Sequence, residues 1–200
     1  IMERKYAWHN YDEQTLQDVM SLGDSYRKFL DNGKTERECV TQSVAAAKEA
    51  GYVDLKDLIK SNTPIKAGDK IYYTHMDKSI ALFNIGIDDL DLGMNILGAH
   101  IDSPRIDVKQ NPQYEDSNLV FWDTHYYGGI KKYHWVAMPL AIHGVVVKTD
   151  GTRININIGD KESDPVFCIT DLLPHLGQEQ MQKNAAKVIE GEALDLLIGS

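Results

Sequence analysis

The sequence predicts an α/β fold that opens on helices, passes into a buried sheet and changes near residue 104 into a β-rich module. Three observations predict it. Apolar groups recur at helical spacing through the first fifty residues, three short β-like runs follow between residues 70 and 102, and alternation replaces the helical period beyond Pro104.

Each element has a local reason. Leu16, Val19, Met20, Tyr26, Phe29 and Leu30 lie near helical spacing over residues 12–31, with Asp12 as N-cap and Asn32-Gly33 as the stop. Thr35 and Glu38 have the spacing of a capping box, which opens a second helix running through "ECVTQSVAAAKEA" to Gly51. A short segment around Leu55–Ile59 and the turn "NTPIKAGD" precede the strand "KIYYTHM". "SIALFNIG" is read as its partner across Asp77-Lys78, and "MNILGAHID" as a third strand, apolar on consecutive positions as if covered on both faces. In the second half, "AIHGVVVKTDGTRININIG" is the clearest pattern. Asp150-Gly151 marks its turn, and Arg153–Ile158 alternates strictly.

Bulk properties remove several function classes. A formal charge of -9, with no basic run longer than Lys131-Lys132, excludes a nucleic-acid groove. Apolar runs such as Val136–Ile142 fall far short of the roughly 20 residues a membrane helix needs. "IMERKYAWHN" has no signal-peptide apolar region, so the expected compartment is the cytoplasm. Cys39 and Cys168 have no Cys-x-x-Cys spacing and read as small buried hydrophobes.

The chemistry concentrates in "ILGAHIDSPRIDV". In a strand, His100 and Asp102 would share one face at the carboxyl end, where open α/β sheets bind ligands. An imidazole there can ligate a metal while the carboxylate fixes its ring and tautomer. A hydrogen-bonded pair that serves only the strand end is the competing account, because His-x-Asp is short and common. Pro104 then ends the strand. Other candidates fail: "IDDLDLG" places leucines where a calcium loop needs oxygens, and Gly128-Gly129 lacks the flanking residues of a phosphate cradle. His9, His75, His125, His134 and His143 show no metal-ligand spacing, and His175, after Pro174, carries little signal alone. No serine occupies a G-x-S-x-G elbow, which leaves metal-assisted hydrolysis.

Four blocks together, "GAHIDSPRIDVK", "YYGGIKKYHW…PLAIHG", "ITDLLPHL" and "FLDNGKTERE", resemble the aspartyl aminopeptidase and vacuolar aminopeptidase I family of zinc metallopeptidases, nearest its bacterial branch. The resemblance implies a catalytic α/β metallopeptidase domain, begun here by residues 1–103, interrupted by an inserted β-rich lid and oligomerisation domain, begun by residues 104–200. By position it makes His100 a metal ligand, Asp102 the catalytic aspartate that orients it, and His175 either a metal ligand or a substrate contact reaching an active site, in its own or a neighbouring subunit. It implies a zinc aminopeptidase with two metals per site, although manganese or cobalt suits the same ligands. Peptides are the implied substrates, with acidic N-terminal residues as a candidate preference, and a homo-oligomer is the implied assembly. Members are roughly twice this length or more, so the bridging aspartate, the glutamate base and the last histidine are expected outside this sequence. The chain reads as an N-terminal portion, inactive alone, and a non-catalytic assembly or peptide-binding fragment is the alternative.

Overall fold

The structure, a computed structural model, describes residues 6–200 and divides the chain into two units, Ile1–Asp102 and Ser103–Ser200. In the first unit, a turn of 3-10 helix at Ala7–Asn10 leads to α1 (Glu13–Asn32) and α2 (Glu36–Glu49). Asp12 caps α1 by accepting from the Thr15 amide at 2.8 Å. Hydrogen bonds from Thr15 hold its carboxyl below the ordinary value. The predicted capping box of α2 is formed: Thr35 accepts from the Glu38 amide at 3.3 Å, and Glu38 accepts from the Thr35 amide at 2.9 Å. Gly51, at φ +85°, supplies the left-handed residue after that helix.

β1 (Val53–Asp54) and α3 (Leu55–Lys60) then lead to β2 (Lys70–His75), which pairs with β3 (Ser79–Asn84). The sheet order is β1-β2-β3, parallel then antiparallel. Met76 and Asp77 both take positive φ in the β2–β3 turn. α2 packs on β2 and β3, and the burial is modest: Cys39, Val40, Ala47, Ile71 and Tyr72 are the buried apolar residues described here. Burial pushes the Cys39 thiol up.

"MNILGAHID" is not a strand. Residues 93–104 have no regular structure, and Ile96 and Leu97 are 79% and 101% exposed. A strand needs a neighbour to satisfy its backbone groups, and no described strand pairs with this segment. Its apolar content without cover continues a run of exposed apolar residues that includes Ile87, Leu90 and Leu92.

The second unit is β-rich. β4 (Arg105–Asp116) and β5 (Leu119–Tyr127) form a hairpin turned by Ser117 and Asn118 at positive φ. Pro104 therefore precedes a strand instead of ending one, a place where its missing N–H costs no ladder bond. The β4–β5 register breaks between Val108 and Gln113, and Pro112, also without a donor, falls in that bulge. β6 (Ile142–Val147) pairs with β7 (Arg153–Ile158) as the alternation and Asp150-Gly151 predict. After the single-turn α4 (Gln178–Met181), β8 (Leu196–Gly199) returns to pair with β5. Ile169, Ile189, Leu194 and Leu196 form the buried core, with Trp122, Trp135, Leu140 and Phe167 among the residues around it. Cys168 is only half-buried, short of the full burial expected, and its backbone bridges Leu197 of β8.

One glycine of this unit is required twice over. Gly159 sits at φ +111°, and a Cβ there would lie 2.9 Å from the Ala141 Cα. Gly151, at φ +83°, faces open space. Gly159→Ala is expected to cost about 1–3 kcal/mol from conformation alone, plus the backbone shift at Ala141, and so to exceed Gly151→Ala. Urea midpoints of the two variants check this; equal losses would show that Ala141 yields freely.

Candidate functional site

His100 and Asp102 close on each other without a strand. His100 Nδ1 lies 3.0 Å from the Asp102 carbonyl oxygen and 3.2 Å from its Oδ1. Both oxygens only accept, so Nδ1 is the donor, and in the neutral ring the lone pair is left on Nε2. That is the form in which imidazole binds a metal. The side chains are 83% and 39% exposed, and an exposed ion pair contributes about 0–1 kcal/mol. Stability alone gives little reason for the pair.

The donor set for a metal is incomplete. Among the described residues no group of three or more His, Cys, Asp or Glu side chains is placed to hold an ion, whereas zinc takes four ligands in structural sites and three with an open position in catalytic ones. His100 and Asp102 fit one ligand and its orienting carboxylate, and nothing more. No strand brings them together; the pair closes within a segment that has no regular structure.

His175 belongs to the second unit, on an exposed turn. The amides of Leu176 and Gly177 both donate to the Leu173 carbonyl at 2.9 Å. Asp171 Oδ1 accepts from the Leu172 amide at 2.8 Å and from Gln180 Nε2 at 2.9 Å. Leu172, Leu173 and Leu176 are each more than half exposed. Sequence reasoning passed over Asp171 and Gln180, since nothing in their spacing marks a bond across Pro174. Of the remaining histidines, His143 is a satisfied, nearly buried residue whose Nε2 lies 3.2 Å from Asp160 Oδ1.

The family model for "Aminopeptidase I zinc metalloprotease (M18)" matches residues 29–199. The chain belongs to the M18 family. It is 52% identical over its whole length to a probable M18 family aminopeptidase 1 of Clostridium acetobutylicum and covers 43% of that relative. For the Thermotoga maritima counterpart the figures are 44% identity and 42% of the relative. The crystal structure of aminopeptidase I from Clostridium acetobutylicum matches 99% of the chain, and 43% of its own, at a TM-score of 0.84 and 52% identity. The Thermotoga maritima aminopeptidase structure matches 98% of the chain, and 42% of its own, at 0.87 and 43%. The M18 chain thus spans less than half the length of these relatives.

A polar network on the β4–β5 hairpin of the M18 chain has a structural role. Lys109, at the bulge, bonds Asp123 at 2.9 Å and Glu192 at 3.0 Å, which hold its ammonium well above the ordinary value. Tyr114 donates to Asp195 Oδ2 at 2.7 Å. Its phenol is pushed up to about 12, by desolvation first and then by that bond and the nearby carboxylates. A raised acid is neutral in both states below pH 10, and the stability it supports is lost as pH climbs from 10 to 12 while the unfolded phenol ionises. Tyr114→Phe is therefore expected to be the less stable protein at pH 8, with the difference closing by pH 12. Urea midpoints across that range check it; a constant difference would mean that the phenol does not titrate differently in the two states.

Proposed function

We propose that this chain is the N-terminal portion of a cytoplasmic metalloaminopeptidase that releases N-terminal residues, acidic ones among the candidates, from peptides. The observation that carries the reading is the His100–Asp102 pair, with Nδ1 engaged and Nε2 presenting its lone pair. In this reading Asp102 orients and polarises His100, and His100 is one metal ligand. His175 is a second ligand or a substrate contact. Zinc, when bound, supplies Lewis-acid activation of water; two ions per site are proposed, with manganese or cobalt as substitutes. The remaining ligands and the general base are assigned to further chain, a reading supported by relatives that run to more than twice this length.

Residues 1–103 are proposed as part of the catalytic domain and 104–200 as part of an inserted lid and oligomerisation domain. The division of the chain into units at 102 and 103 supports that reading. Exposed apolar residues from Ile87 to Leu97 supply surface for the missing part of the catalytic domain to cover. Two free thiols suit a reducing compartment, and among the described residues no helix is long and apolar enough to cross a membrane.

The test compares the full-length enzyme with the 200-residue chain for zinc content and for release of N-terminal residues from a peptide panel. The full-length enzyme is expected to hold metal and cleave, and the chain alone to do neither. A full-length protein that neither binds metal nor cleaves would make this chain part of a non-catalytic assembly or peptide-binding protein.

A further inference from the structure

We propose that Asp171, acting through Gln180, is a positioning residue for His175; the inference rests on the role proposed for His175 above. The turn that carries the histidine has little packing to hold it, since Leu172, Leu173 and Leu176 are 55%, 66% and 74% exposed. Its own hydrogen bonds to the Leu173 carbonyl shape the turn locally but do not fix where it stands on the unit.

That placement comes from a tie across its base. Asp171 Oδ1 receives both the Leu172 amide and the Gln180 side-chain amide, joining positions nine residues apart on either side of His175. Gln180 lies in the single turn of α4, where the Met181 amide donates to the Gly177 carbonyl at 2.9 Å. Beside the tie is a cavity of 290 Å³ lined by Thr170, Asp171, Leu172, Gln180, Val188 and Ile189, among others. No side chain fills it, so loss of the tie leaves the turn room to move. A histidine displaced in this way keeps its chemistry and loses its aim.

The experiment is a mutant cycle in the full-length enzyme. Asp171→Ala and Gln180→Ala are each expected to lower kcat/KM about tenfold, below the ~100-fold that a 1 Å misplacement can cost. The loss falls in the same parameter, kcat or KM, that His175→Ala changes. Asp171→Asn, whose side-chain oxygen accepts the same two N–H groups, stays within about twofold. The double variant Asp171→Ala/His175→Ala is no worse than His175→Ala. Losses that multiply, or an asparagine variant as impaired as the alanine one, overturn the positioning role. Should Asp171→Ala fail to fold, Gln180→Ala with the same cycle decides. A silent Asp171→Ala beside an impaired His175→Ala refutes this inference alone, whereas a silent His175→Ala refutes the reading on which it rests.

Discussion

His100→Ala in the full-length enzyme is expected to reduce bound zinc and to lower kcat/KM by more than about 100-fold, with no measurable change in the thermal midpoint of the metal-free protein. The magnitude follows from the residue's place. Changes to groups that only orient a metal ligand typically cost about 10- to 100-fold in affinity or activity, and His100 is proposed as a ligand itself. Asp102→Ala should fall at or below that lower range, because it removes the carboxylate beside the ring but keeps the main-chain carbonyl that faces Nδ1 at 3.0 Å. The unchanged midpoint follows from exposure: the imidazole is 83% exposed, and its contact with Asp102 at 3.2 Å holds little folding energy. Zinc analysis and steady-state rates on the same preparations, with melting curves of both proteins after metal removal, make the comparison. Full activity in His100→Ala would remove the residue from the site.

Leu194→Ala is expected to destabilise the second unit by about 2–5 kcal/mol, the range for truncating a fully buried leucine. Leu194 has no exposed surface and sits with Ile169, Ile189 and Leu196 in the core. Its carbonyl also accepts the buried Thr124 hydroxyl, so any shift of the chain to fill the void disturbs that bond. Such a loss is a large part of the roughly 5–15 kcal/mol that stabilises an ordinary domain, and it should lower the midpoint by about 10 °C or more. Val147→Ala is the control: its side chain is 61% exposed and should change stability by about 0.5 kcal/mol or less. Equal midpoints for the two variants would mean that the core is not centred on Leu194.

Elements whose causes are local could be read directly. Asp12, the Thr35–Glu38 box and Gly51 bound their helices because a cap acts within one turn of chain. The β2–β3 and β6–β7 hairpins were legible for the same reason, since a short turn leaves little freedom in register. The segment 94–102 was misread because apolar content states a need for cover and says nothing of whether a neighbour is present to provide it. Its exposed Met94, Ile96 and Leu97 fit a family whose curated relatives run to more than twice this length.

The site divides along the same line. His100 and Asp102 were legible as a pair because two residues of separation keep the side chains within reach in almost any extended backbone, and the structure joins them in irregular backbone instead of a strand. By itself the sequence determined its caps, its tight turns, the change to β structure near residue 104 and the family blocks, all carried by neighbours in the chain. Only the tertiary structure decided that β8 closes on β5, that Leu194 is the centre of the core, that Lys109 meets Asp123 and Glu192, and that Asp171 reaches Gln180. Those contacts join residues separated by intervening turns and loops, and no local pattern specifies which distant partner will be within hydrogen-bonding or packing distance once the chain has folded.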